Sequence, residues 1–331
     1  MTLWLHALGH SHPENEITNR FLEGLDIGTN EQWIMDRVGI RSRRTALDLE
    51  YIRATRNADV RAAAEASQMS LAEQGANAAR MALERTGLEP RDIGMVVFGS
   101  SAADWCSPAE ACNVARALDI DVPALDINSA CTSFLAGVHM LSMMDPAKLP
   151  RFVLLVAADS LTKTVDYNDR AAAVLWGDAS AAAVVSTHEA GRAAFLGSEL
   201  DSRPTAGDKV VVPRIGFFAQ EGRTVQTFAI KKTREGYERL RSELARPERP
   251  FHFVGHQANL RMLENVCQHC DIPPELHHSN AEWFGNTGAP SSATVISQRW
   301  EKWDSRDDVA VIGVGAGLTW SSYLLRFGQS A

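Results

Sequence analysis

Residues 123–144 read PALDINSACTSFLAGVHMLSMM, and this stretch decides the fold class. A short apolar strand, Ala124 to Ile127, runs into a turn of small residues, Asn128-Ser129-Ala130. The spacing predicts a helix beginning near Cys131, with Leu135, Val138 and Leu141 on one face. Strand-to-helix turns are a mark of α/β folds and a place where active residues gather. A thiol at a helix N-terminus meets the positive end of the macrodipole and unpaired backbone N–H groups. Both favour thiolate, the nucleophilic form. A free cysteine also packs as a small hydrophobe, so this segment alone leaves Cys131 as either a nucleophile or a core residue.

Outward from that turn, helix and strand signals alternate, which predicts an α/β protein. Ser70-Leu71-Ala72-Glu73 reads as a capping box that opens a helix closed by Gly87, and the strand IGMVVFGS (93–100) follows. Ser107-Pro108-Ala109-Glu110 predicts a second helix start, with Pro108 in the first helical position. RFVLLVAAD (151–159) is an uninterrupted apolar strand of the kind buried on both faces. AAVLWGDASAAAVVS (172–186) reads as two strands joined through Gly177-Asp178. The second half repeats this order: FHFVGHQAN (251–259) is a strand ending in a polar corner, and VAVIGVGAGLTWSSYLLRF (309–327) is a closing pair of strands. The two halves, 1–188 and 189–331, meet near residues 186–192 and suggest a duplicated unit. Asp201–Thr227, rich in Pro and Gly, is the least regular part.

A chain of 331 residues can bury a large core. Its net charge of -8 argues against general affinity for nucleic acid or an anionic membrane. No apolar run reaches the roughly eighteen residues that a membrane span needs. The first residues, MTLWLHALGHSHPEN, lack the basic start and apolar core of a signal peptide. The five cysteines therefore predict a reducing cytoplasm, where cysteines are catalytic or buried rather than bridged.

A thiolate nucleophile needs a partner to activate it. His256 follows an apolar strand and precedes a helical pattern, a corner like that of Cys131; a capping or core histidine fits the same place. Asn286 stands in EWFGNTGAPSSA between glycines, where it is also good turn chemistry, and Pro290 predicts the start of the next helix. Together the three corners offer a nucleophile and two hydrogen-bond donors, a set suited to thioester chemistry. Cys267 and Cys270, with His269, His277 and His278 nearby, hint at zinc, but they fall on a helix and no second Cys pair completes a site, so no metal is expected. IKKTREGYERLRSELARPER (230–249) is a basic helix that could dock an acidic carrier. GVGAG (313–317) precedes a strand and is not a dinucleotide fingerprint.

Six motifs in order carry a resemblance that runs almost end to end. NEQWIMDRVGIRSRR (30–44), DINSACTSF (126–134) and DYNDRAAAVLWGDASAAAVV (166–185) are joined by GHQANLRML (255–263), FGNTGAPSSA (284–293) and GVGAGLTWSSYLLRF (313–327). The chain resembles the β-ketoacyl-acyl-carrier-protein synthase III (FabH-like) family of the thiolase superfamily. The resemblance implies a thiolase fold: two βαβαβαββ halves in a five-layer α/β/α/β/α sandwich, usually a homodimer. It implies that Cys131 takes a starter acyl group from a coenzyme A thioester, with no cofactor. His256 and Asn286 would then hold a malonyl thioester carbonyl as carbon dioxide leaves. The backbone N–H groups of Cys131 and Ala316 match the oxyanion hole. Trp33, Arg37, Arg170, Asn259 and Arg261 match positions lining the coenzyme A channel, and Arg261 with the basic helix would help receive an acyl carrier protein.

Absences narrow the choice within the superfamily. GVGAG lacks the second active cysteine of a degradative thiolase, and the His-Asn pair separates the chain from Cys-His-His elongating synthases. Departures also stand out: Thr132 and Ser133 follow the cysteine where small residues are common, and Ser107 replaces a bulky aromatic. Arg223 and Gln226 replace Asn and Phe in the channel, and GNTGAPSSA replaces GNTSAAS. These changes point to a nonstandard starter or acceptor, in fatty-acid initiation or secondary metabolism. Two other functions stay in view: acyl transfer to oxygen or nitrogen without a new carbon–carbon bond, and a non-catalytic partner subunit of a heterodimer.

Overall fold

The computed structural model describes residues 2–328. Nine strands form one continuous sheet: β1 (Leu3–Ser11), β2 (Met95–Gly99), β3 (Ala124–Ile127), β4 (Val153–Ser160), β5 (Asp178–Ser186), β6 (Ala193–Ser202), β7 (Phe251–Gly255), β8 (Asp308–Gly315) and β9 (Thr319–Phe327). Their spatial order is β7-β8-β9-β6-β1-β5-β4-β2-β3. The halves share a plan. In the first, β1 pairs antiparallel with β5, β5 antiparallel with β4, and β4 parallel with β2. In the second, β6 pairs antiparallel with β9, β9 antiparallel with β8, and β8 parallel with β7. The counterpart of β3 shrinks to one parallel bridge, Phe253 with His277. The two half-sheets join through Leu3–Leu5 of β1 against Ala193–Phe195 of β6.

Strand periodicity explains the layers, because successive side chains point to opposite faces. On β4, Leu154, Val156 and Ala158 face outward onto α2 (Leu71–Thr86) and α3 (Glu110–Ala117), while Val153, Leu155 and Ala157 face inward. On β8, Ala310, Ile312 and Val314 face α5 (Gly222–Leu244) and α6 (Leu260–His269), and Val309 and Val311 face inward. Between the half-sheets lie α4 (Ser133–Met143) and α7 (Ser291–Gln298), which touch strands of both. The N-terminal turns of α4 lie in the central layer, and Phe134, Leu135, Ala136 and Val138 are all buried, while Met140 and Met143 toward its end are exposed. Burying Phe134 alone is worth roughly 1.5–3 kcal/mol. The result is the five-layer α/β/α/β/α sandwich of the thiolase fold. A short helix within the 30–44 motif, α1 (Glu31–Arg37), lies outside these layers.

The capping box at Ser70 and Glu73 is present, and Gly87 closes α2 with φ 69°. Other local expectations need correction. Helix α3 starts at Glu110 rather than at Pro108, because its first N–H groups are capped from a distance: the Asp126 carboxylate on β3 accepts from Glu110 N–H at 2.8 Å and Ala111 N–H at 2.9 Å. Residues 172–186 hold one strand, not two. The first part is a short helix, Arg170–Ala173, capped by Asp169, and Trp176 makes an isolated bridge to Asn286. The basic helix α5 starts earlier, at Gly222, so the irregular stretch ends there. Among the described residues, no helix is long and apolar enough to cross a membrane.

Candidate active site

The turn before α4 is built tightly. Ala130 adopts φ 50°, in the left-handed region that costs a residue with a Cβ about 1–2 kcal/mol. Local bonds hold it there: Asn128 Oδ1 accepts from Ala130 N–H at 3.0 Å, and Ser133 Oγ donates to Ala130 O at 2.6 Å. Thr132 Oγ1 donates to Ser129 O at 2.6 Å and lies 2.9 Å from Thr319 Oγ1. The hydroxyls of Thr132 and Ser133 therefore staple the turn, and they give no account of an altered acyl site. Cys131 occupies a short 3-10 turn, Ala130–Thr132, just ahead of α4. Its surroundings reverse the expected thiolate preference. Burial, and then the Asp159 carboxylate, push the thiol up to about 12. Desolvation of the charged form outweighs the helix terminus, so the resting group is S–H.

The second half brings its two corners to the same place. His256, 4 % exposed, follows β7, and its N–H donates to Ile312 O at 2.8 Å. Its Nδ1 lies 2.8 Å from Ser291 Oγ at the start of α7, which leaves Nε2 for the cleft. The serine hydroxyl can donate or accept, so it serves either tautomer. Burial lowers His256 to about 4, and the ring is neutral at physiological pH. Asn286 is 6 % exposed, and its Oδ1 accepts Gly288 N–H at 3.0 Å, which leaves Nδ2 as the free donor. Its backbone is clamped to the first half: Asn286 N–H donates to Leu175 O at 2.8 Å, and Gly177 N–H to Asn286 O at 2.9 Å. Gly285 permits that approach, with φ 66° and only 2.6 Å between a would-be Cβ and Leu175 O.

Cys131, His256, Asn286 and Ala316 line one narrow cleft of about 70 Å³. Its walls are apolar, with Trp176, Phe218, Phe228, Val314 and Leu318 among them. Trp176 and Phe218 meet edge to face, 4.7 Å between centroids. Such walls exclude water and strengthen any hydrogen bond made at the floor. The arrangement can hold a thiol beside a neutral imidazole and a carboxamide donor.

The five other site residues gather where α1 docks on the start of α6, outside the lining of this cleft. The guanidinium groups of Arg37 and Arg170 stand 5.6 and 4.8 Å from the Trp33 ring centroid. Arg170 Nη1 also donates to Gly28 O at 2.6 Å. Arg261 donates to Met35 O through Nε and Nη2, at 3.1 and 2.9 Å. Asn259 Oδ1 caps α6 by accepting Met262 N–H at 2.8 Å, and its neighbour Ala258 does line the cleft. The basic face of α5 is largely self-paired: Lys232 meets Glu235 at 2.9 Å, and Arg239 meets Glu243 at 2.9 Å and Glu199 at 2.8 Å. Ser291 and the loop amide of Gly288, which orient the two donors, were not singled out in the sequence; nothing local marks them.

Five layers and a cysteine-histidine-asparagine cleft at the junction of two similar halves define a thiolase-fold transferase. Residues 125–204 match the family model described as 3-oxoacyl-[acyl-carrier-protein (ACP)] synthase III, and residues 245–327 match that of its C-terminal domain. The β-ketoacyl-[acyl-carrier-protein] synthase III of Geobacillus kaustophilus is 29% identical over 98% of each chain. The crystal structure of the Pseudomonas aeruginosa synthase III, FabH, superposes with a TM-score of 0.86 at 28% identity, covering 100% of both chains. A priming β-ketosynthase of a polyketide pathway superposes at 0.81 with 26% identity, covering 98% of this chain and 96% of its own. The chain belongs to the FabH-like β-ketoacyl-acyl-carrier-protein synthase III family of condensing enzymes.

Proposed function

We propose that the protein catalyses decarboxylative Claisen condensation of an acyl-coenzyme A starter with a malonyl thioester, on carrier protein or coenzyme A, giving a β-ketoacyl thioester. The convergence of Cys131, His256 and Asn286 on one apolar cleft supports this reading most strongly. In the first half-reaction, His256 Nε2 takes the thiol proton as sulfur attacks the starter's carbonyl. The oxyanion is received by the backbone N–H groups of Cys131 and Ala316, and coenzyme A leaves with a proton. In the second, the bond from the malonyl α-carbon to its carboxylate breaks, and the electron pair moves into the thioester carbonyl. His256 Nε2–H and Asn286 Nδ2–H donate to that oxygen. The enolate carbon then attacks acyl-Cys131; a carbon–carbon bond forms, the carbon–sulfur bond breaks, and the departing thiolate takes up a proton from solvent.

This cycle needs no resident cofactor. Trp33, Arg37, Arg170, Asn259 and Arg261 are proposed as the rim that receives the nucleotide end of coenzyme A or the phosphate arm of an acyl carrier protein. Guanidinium groups suit phosphate. The outer edge of β3 ends the sheet, and a second copy of the chain is its proposed cover, making a homodimer. The product decides the reaction. Incubation with a starter thioester and malonyl-carrier protein should release carbon dioxide in step with a β-keto product. An ester or amide without carbon dioxide would overturn the condensation reading.

A further inference from the structure

Asp159, near the end of β4, is fully buried, and both of its oxygens are saturated with donors. Oδ1 accepts Ser100 Oγ–H and Ser101 N–H, each at 2.8 Å. Oδ2 accepts Ser101 Oγ–H at 2.9 Å and Ala289 N–H at 2.7 Å. One carboxylate thus joins two loops that serve different half-reactions. Ser101 closely follows Gly99, where a Cβ would stand 2.8 Å from Ser133 Cβ, so its loop packs against the turn that carries Cys131 and sets the Ser101 hydroxyl beside the thiol. Ala289 follows Gly288, whose N–H holds Asn286 Oδ1. Gly288 has φ 68°, and a Cβ there would stand 2.2 Å from Asp159 Oδ2, so this loop closes directly onto the carboxylate.

A serine hydroxyl has one proton to give. While Ser101 gives it to Asp159, its oxygen can meet Cys131 only as an acceptor, and the sulfur keeps its own proton. Asp159 acts the same way through its charge, which disfavours a thiolate nearby. For sulfur to ionise, the Ser101 hydroxyl must turn toward it, and Asp159 then loses one of its four donors. Among the described residues, the titratable side chains facing the thiol are Asp159 from β4 and His256 from the end of β7.

We propose that Asp159 is a positioning residue for both half-reactions: through Ser101 it orients the Cys131 thiol, and through Ala289 it fixes the loop that presents Asn286. The inference rests on Cys131 being the acyl acceptor. The test uses the full chain with Asp159→Asn and Ser101→Ala, compared with wild type. Site-resolved alkylation of Cys131 by iodoacetamide is followed against pH, with acyl-enzyme formation and carbon dioxide release from malonyl-carrier protein measured in parallel.

Asp159→Asn removes the charge and turns one acceptor into a donor among donors. The alkylation midpoint should fall by about one pH unit, and both half-reactions should slow by about tenfold or more. Ser101→Ala cuts only the nucleophile arm, so acylation should fall about tenfold with a smaller effect on carbon dioxide release. A folded Asp159→Asn with an unmoved midpoint and wild-type rates overturns the proposal. If Asp159→Asn does not fold, Ser101→Ala decides, and wild-type acylation overturns it. Failure of the wild-type chain to acylate would instead sink the acyl-acceptor reading, and the alkylation midpoint would still report on Asp159.

Discussion

Replacing Asn286 tests how the cleft divides its work. Its Oδ1 is already committed to Gly288 N–H at 3.0 Å, so Nδ2 is the group left to meet a developing enolate. A donor aimed at developing charge in a dry site is worth about 2.7–4 kcal/mol, a factor of roughly 10² to 10³ in rate. Asn286→Ala should slow carbon dioxide release and β-keto product formation by that factor while acyl-Cys131 forms at close to the wild-type rate. The same change strands the buried Gly288 N–H, which costs about 1–3 kcal/mol of stability and should show as a lower melting temperature. Asn286→Asp separates the two effects. It keeps an acceptor for Gly288 but sets a carboxylate oxygen against the enolate, so condensation should fall at least as far with a smaller loss of stability. Acylation is read by intact mass and decarboxylation by trapped carbon dioxide. Equal losses in both half-reactions would refute the assignment of Asn286 to the second.

Three further outcomes are expected. Acylation depends on a neutral His256 to take the thiol proton, and burial lowers its folded value to about 4, so the rate of acyl-Cys131 formation should fall as pH drops through 4. The sign for stability follows from the same depression. An unfolded histidine gains a proton below its ordinary 6.5 while the folded one does not, so this residue's contribution is present above 6.5 and is lost as pH falls toward 4; a His256→Asn chain should show a flatter melting profile across that window. Wild-type Cys131, pushed up to about 12 by burial, should react with iodoacetamide at pH 8 more slowly than the exposed Cys106 and Cys112, as peptide mapping would show. Ser291→Ala leaves the His256 ring without its orienting hydroxyl, so condensation should fall roughly ten- to a hundredfold, and the stranded Nδ1 should also lower the melting temperature.

The sequence is most legible where structure is local. Short apolar runs such as RFVLLVAAD marked several strands, and the Ser70–Glu73 box and Gly87 marked both ends of α2. The corners at Cys131, His256 and Asn286 were visible as turns between strands and helices. Non-local contacts were not legible. Asp126 caps α3 from another strand, so the helix begins later than its own Ser-Pro signal suggests. The bridge from Trp176 to Asn286 fixes what surrounds Gly177, and the preceding residues turn as helix instead of strand. The thiolate expectation failed for a related reason: a helix terminus is written in the sequence, but the desolvation of the thiol and an Asp159 brought in from β4 are not. Ser291 and Asp159 were silent for the same cause, since each acts on a residue far away in the chain.

The central claim is that Cys131 is the acyl acceptor. Intact-protein mass spectrometry after incubation with a panel of acyl-coenzyme A thioesters tests it most directly. The account predicts a mass increase equal to one acyl group, mapped to the Cys131 peptide and absent from Cys131→Ala. A panel that leaves the wild-type protein unmodified, or places the acyl group on another residue, would contradict it.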